Sequence, residues 1–264
     1  IMLAHAFYVA RLLRLRRRGV IAYGRKHDLI YGESGAGAKI IAELSDSSLT
    51  LLPKDGGVKF LNLLKAKDGY FADYEFGVYE HTKNYTYKAA RKFYCVRSIT
   101  LSRQLPNVLF DSKRSHKTQF ETQFDPKQKH SLEGNFDKYF DTYFPPQYTV
   151  DSLSFITPEV MFALIEASDY DIEINGDQLL LFGPISARSE EQLKDMDALA
   201  QNIYQKLLNN IKTYRDIRLP YELGRQGVAV LGRRLRPKKN PMWTFYIGAA
   251  MYLAYMIVAM ILSE

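Results

Sequence analysis

The chain has 264 residues, 47% hydrophobic and 25% charged, enough for one or two ordinary cores and incompatible with a disordered or fibrous polymer. A single cysteine, Cys95, excludes an internal disulfide framework and a cysteine-built zinc site. Mean hydropathy is −0.25, which excludes a polytopic membrane protein. The net charge of +7 has a lopsided distribution: Arg11, Arg14, Arg16, Arg17, Arg18, Arg25 and Lys26 stand in residues 1–26 without an acid, and Arg225, Arg233, Arg234, Arg236, Lys238 and Lys239 do the same in 225–239. These two collars exceed the whole surplus, so the body between them is mildly acidic. That pattern argues against a nucleic-acid-binding face.

Residues 1–26 form an apolar, then basic, membrane-proximal segment. The first ten residues are too few to span a bilayer. They are read as the end of a first transmembrane helix or as an interfacial one, with Arg14, Arg16, Arg17 and Arg18 flanking the membrane.

Residues 27–220 read as an α+β domain with a mixed, largely antiparallel sheet and a few packed helices. Strands are expected at His27–Tyr31, Tyr70–Tyr79, Tyr87–Leu101 and Val108–Asp111, with turn signals at Asp55-Gly56-Gly57, Asp68-Gly69 and Pro106-Asn107. Lys88, Arg91, Lys92, Arg97 and Arg103 would be the solvated face of one such strand. Tract 112–130 reads as a surface loop. Thr157-Pro158-Glu159 opens a helix to about Ala167, with Thr157 as its cap. Asn175-Gly176 between two strand-like runs predicts a type I′ hairpin. Asp169, Asp171 and Glu173 alternate on one strand face and read as solvated. A helix from about Ser189 to Tyr214 presents Leu193, Met196, Leu199, Ala200, Ile203, Leu207 and Ile211 on one side.

The motifs of chemistry are weak. Gly32-Glu-Ser-Gly-Ala-Gly37-Ala38-Lys39-Ile40 looks like a phosphate loop, but Ala38 displaces the lysine and Ile40 replaces the magnesium-binding hydroxyl, so it reads as a glycine turn. The histidines lack metal-ligand spacing. Cys95, within a strand, reads as a small buried hydrophobe. No catalytic, cofactor-binding or metal residue is assigned, and no cofactor is expected.

The strongest functional signal lies near the carboxyl end. After a basic linker, 221–241, residues 242–262 read as a transmembrane helix. Its twenty residues from Trp243 to Leu262 carry no charge and make about 30 Å of helix, the thickness of a hydrocarbon core. Gly248, Ala250 and Ala254 are small enough to admit a neighbouring helix, which points to a membrane protein partner or a homo-oligomer. Arg233, Arg234, Arg236, Lys238 and Lys239 precede this run and only Ser263 and Glu264 follow it, so the domain is expected on the cytoplasmic side.

The strings Ser131-Leu-Glu-Gly-Asn-Phe136-Asp-Lys-Tyr-Phe140, Ser154-Phe-Ile-Thr-Pro158-Glu-Val-Met161, the acidic run through Phe182 and Leu101-Ser-Arg103-Gln-Leu-Pro106-Asn-Val-Leu-Phe-Asp111 resemble an uncharacterised bacterial family of membrane-anchored proteins. The resemblance covers about residues 70–183 with the collar and final helix. It implies a bacterial inner-membrane location and no activity. It also implies that Leu132, Phe136 and Phe140 are core, Gly134 a turn and Pro158 a helix start. The sequence thus predicts a membrane-tethered, cytoplasm-facing binding or scaffold module with the lipid bilayer as one partner and no nucleic acid. The alternative is an enzyme acting beside the membrane through dispersed residues.

Overall fold

A computed structural model describes residues 2–32, 59–81, 86–114 and 124–236. The glycine-rich string beyond Gly32, the Asp55-Gly56-Gly57 signal, residues 115–123 of tract 112–130, Lys238, Lys239 and the whole run 242–262, with Trp243, Gly248, Ala250, Ala254 and Leu262, lie outside the described residues. The rest of that tract is not all surface loop, since Phe124 and Gln128 are buried and Lys129–His130 form a strand.

The described architecture is α+β. Seven strands form one sheet: β1 (Ile30–Gly32), β2 (Lys59–Ala66), β3 (Gly69–His81), β4 (Thr86–Ser112), β5 (Lys129–His130), β6 (Phe140–Tyr143) and β7 (Asp171–Pro184). Every pairing among them is antiparallel. Five helices accompany the sheet: α1 (Met2–Lys26), α2 (Thr149–Phe155), α3 (Pro158–Glu166), α4 (Ser189–Ile211) and α5 (Tyr221–Gln226). The long β4 organises everything. It pairs with β3 over residues 86–99 and with β6 over 109–112, while β7 runs beside residues 94–110.

Side chains that alternate along the strands enter two different cores. Leu64, Phe71, Cys95, Phe110 and Leu181 meet the helices, together with Val20 and Tyr23 of α1 and Leu193, Met196, Ala200, Ile203, Leu207 and Ile211 of α4. Leu63, Tyr70, Tyr94, Leu109 and Leu180, their immediate neighbours, form a second cluster with Phe124 and Leu235. Both faces of the central strands are buried around Arg97, Asp171 and Glu173, which corrects the expectation of a solvated face there, whereas Arg91 and Asp169 are exposed as expected. Arg97 is 1% exposed, and Asp171 and Glu173 are fully buried beside Ile172 and Ile174. Phe136 and Phe140 are core as expected and pack with Phe110, ring centroids 5.2–6.1 Å apart.

The Asn175-Gly176 hairpin is not formed. The chain continues straight through as β7, with Leu105 facing Gly176 and Val108 facing Ile174. Gly176 takes φ +59, a left-handed value open to glycine in a bulge as in a turn. The compensating extra residues lie opposite, in β4 between Thr100 and Leu105, so the two strands expected at 87–101 and 108–111 are one. The bulge projects Arg103, whose Nη1 donates to the Arg225 carbonyl at 2.8 Å.

Both basic segments belong partly to the domain. In α1, Arg16, Val20 and Tyr23 repeat at i, i+4 and i+7, the stripe that packs on α4 and β2. Gly19 permits the close approach, since a Cβ there would sit 2.5 Å from the Ser189 Cβ. The segment 221–236, expected as a linker, is folded back. Asp216, fully buried, accepts from Tyr148 OH at 2.6 Å, from the Ala229 amide at 2.9 Å and from the Arg218 amide at 2.9 Å. The Gln128 side chain clasps both backbone groups of Arg236 at 2.8 Å. The helix α3 begins at Pro158 as expected, but Thr157 makes no side-chain cap bond.

Candidate functional site

A cleft of about 700 Å³ opens where the end of α1, the β2–β3 turn and α4 converge. Arg97 is its buried base. A charged residue interrupting the apolar run Tyr94-Cys-Val-Arg97-Ser-Ile99 must find compensation, because an isolated buried guanidinium is costly. Its Nη2 donates to Asp68 at 2.7 Å, its Nε to Asp197 at 2.9 Å and its Nη1 to the Ser98 carbonyl, while its plane lies 4.6 Å from the Phe71 ring centroid. Gln201 donates to the same Asp68 oxygen. Tyr23 stands beside this group, its phenol pushed up to about 12 by burial and by Asp197.

Each element contributes for a local reason. Asp68 belongs to the Asp68-Gly69 turn that joins β2 to β3. Asp197 and Gln201 are four residues apart and share one face of α4. Asp28 closes α1 in the left-handed region, at φ 53, where the Leu29 amide reaches back to the Gly24 carbonyl at 2.8 Å. His27, Asp28, Lys65 and Lys67 complete the rim. The lining carries three acids and three bases, so the cleft is neutral with histidine uncharged. Arg97 is fully engaged, but Asp68 and Asp197 remain about one-third exposed and offer free lone pairs to a ligand. Such a site accepts and donates hydrogen bonds. Among the described residues no group of three or more His, Cys, Asp or Glu side chains is arranged to hold a metal ion.

Arg16 corrects the reading of the first collar. It is fully buried, with Nε and Nη2 each 2.7 Å from one Asp73 oxygen and Nη1 2.7 Å from Gln192. Asn62 adds a bond to Asp73 at 2.9 Å, and Tyr31 donates to Asn62. This arginine cannot meet a lipid headgroup. Arg14, Arg17 and Arg18 lie on other faces of α1 and are exposed, as are Arg233, Arg234 and Arg236. Among the described residues the two collars are not brought together. Ser189, the first residue of α4, donates to the Arg16 carbonyl, whereas the Asp216 hub follows the other end of that helix, about 34 Å of helix away. No helix among the described residues, α1 included, is long and apolar enough to cross a membrane.

Two further polar groups lie outside the cleft. Asn107 donates to Glu173 at 2.7 Å and the Ser112 amide to Asp171 at 2.8 Å, which is how the supposed solvated acids are accommodated. Asp111 and Asp141 face each other across β4 and β6. Against the upward pull of partial burial, Lys129 and Lys113 (2.9 and 3.0 Å away) hold Asp141 below the usual carboxylate range. Burial and that neighbouring charge push Asp111 up to about 6. Cys95 is fully buried, as expected, and burial raises its thiol.

Sequence reasoning missed Asp68 and Asp197 as partners of Arg97. The available signal was the lone arginine inside an apolar strand. Comparisons with protein-family models, curated proteins and solved structures return no match to this chain.

Proposed function

We propose that the chain is a membrane-tethered binding module of a bacterial cytoplasmic membrane, its α+β domain facing the cytoplasm and its neutral, polar cleft receiving a protein partner. The observation that carries this reading is the uncharged run Trp243–Leu262 immediately after an arginine- and lysine-rich collar. A helix is the one way such a run can satisfy its backbone in lipid, and a basic flank favours the cytoplasmic side. The cleft supports binding over proton-transfer chemistry, because Arg97, Asp68, Asp197 and Gln201 hold one another and the raised carboxyl of Asp111 is not among its lining residues. Small residues Gly248, Ala250 and Ala254 offer a helix–helix contact for a membrane partner or a second copy.

Alkaline carbonate extraction of membranes from expressing cells tests the tether. The full chain is expected to remain in the pellet, and a chain ending at residue 241 to be released. Release of the full chain would overturn the tether. A saturable turnover by the purified full chain, abolished by Arg97→Ala, would overturn the non-enzymatic reading.

A further inference from the structure

Resting on the tether just proposed, we infer that the face built around Asp216 is a docking surface for an anionic lipid headgroup layer. Five large apolar side chains stand exposed there: Ile217 (73%), Tyr221, Leu223, Val230 (79%) and Leu231. Their grouping follows from the hub. The residue 216 side chain bonds the Ala229 amide and its backbone amide donates to the Gly224 carbonyl, so Ile217, Leu223 and Val230 each adjoin a residue held at one point. Arg218 reaches from the same hub to Asp151, with its guanidinium 4.0 Å over the Tyr148 ring.

The exposed charge around these side chains is mostly positive. Arg215 and Arg225 lie 4.8 and 5.8 Å from the Tyr221 ring, and exposed Arg233 and Arg234 follow Leu231. Glu222 is the one exposed acid between residues 215 and 236. Apolar side chains interleaved with arginines, with Asp216 buried and Glu222 the one exposed acid among them, match a surface that meets the boundary between headgroups and acyl chains. A protein partner of mixed charge would leave most of these arginines unpaired.

Chain length adds an independent constraint. Seven steps separate Arg236 from Trp243, at most about 25 Å of extended backbone. Leu231, Arg234 and Arg236 share a small hollow with Pro146 and Gln147, and Arg218 donates to the Gln147 carbonyl. The exit point and the apolar face are thus contiguous. Any tether through residues 243–262 holds this face near the bilayer at high effective concentration.

The test uses the full chain reconstituted into vesicles of phosphatidylcholine alone or with phosphatidylglycerol, carrying an environment-sensitive fluorophore on Val230→Cys or, as a control, on the exposed α4 position Lys194→Cys. Flotation with the vesicles reads the tether separately. The expected result is that brominated acyl chains quench the Val230 label, and not the Lys194 label, in the anionic vesicles. The quenching should vanish in 1 M salt, where the Debye length falls to about 3 Å, and in the combined variant Arg225→Gln, Arg233→Gln, Arg234→Gln. Flotation with the Val230 label still in water would overturn this inference and leave the tether standing. Equal quenching in neutral vesicles would overturn the anionic assignment. Excimer formation between labels would assign the face to a second copy, and failure to float would remove both readings.

Discussion

Replacing Arg16 with leucine is expected to lower the unfolding free energy by about 3–5 kcal/mol, the range for removing one partner of a buried ion pair. Asp73, 2% exposed, would lose its bidentate partner and its only countercharge, keeping neutral neighbours, the Asn62 amide and the Cys95 thiol. Urea titration of the full chain in detergent measures the effect. Arg16→Lys should recover only part of the loss, because an ammonium cannot reproduce the two parallel bonds. The double variant Arg16→Leu, Asp73→Leu should recover most of it, since no buried charge is then left alone. Arg17→Leu, on an exposed face of the same helix, should stay within about 0.5 kcal/mol. Equal costs at residues 16 and 17 would contradict the structural role.

Asp111→Asn is expected to stabilise the chain above pH 6 by roughly 2–3 kcal/mol, at 1.36 kcal/mol per pKa unit. The sign follows from proton uptake. Asp111 titrates near 6 in the folded chain and near 3.8 when unfolded, so between those values the folded state holds a proton the unfolded state has lost. Its contribution therefore weakens stability as pH rises from about 4 to about 6, and is constant above that. Asp141 acts in the opposite direction, its lowered value adding stability that is lost on acidification. The difference between wild type and Asp111→Asn isolates the first effect. That difference should grow across the window and then level off in denaturant midpoints taken from pH 4 to 7.5. A variant less stable than wild type at pH 7, or a difference independent of pH, would contradict the paired-carboxylate account.

Elements with a strong period of their own were legible in the chain. The α4 stripe matches the expected residues with Leu199 alone only partly buried, α3 starts at its proline, and β3 lies within two residues of expectation. The buried polar residues were not legible, because alternation shows which residues share a strand face and is silent about what covers that face. Arg97, Asp171 and Glu173 looked wet since their partners Asp197, Ser112 and Asn107 are distant in sequence. Asn175-Gly176 offers positive φ, which suits a bulge and a hairpin equally, and the partner strand decides between them. Arg16 was hidden by its neighbours. Charge density marks the whole run 14–18 alike, whereas the helical period with Val20 and Tyr23 singles out residue 16. The cleft needed a turn, a strand and a helix to meet, and no local spacing encodes that meeting.

Topology is the most direct measurement. Cys95 is fully buried and its thiol raised by burial, so the native chain should be silent to a membrane-impermeant maleimide. A cysteine placed at Glu264 or at the exposed Lys127 then reports sidedness in intact bacterial spheroplasts. The predicted result is labelling at residue 264 without lysis, with residue 127 labelled only after the membrane is opened. Labelling at 127 in intact spheroplasts, or protection of both positions until lysis, would contradict a crossing by residues 243–262 with the domain inside.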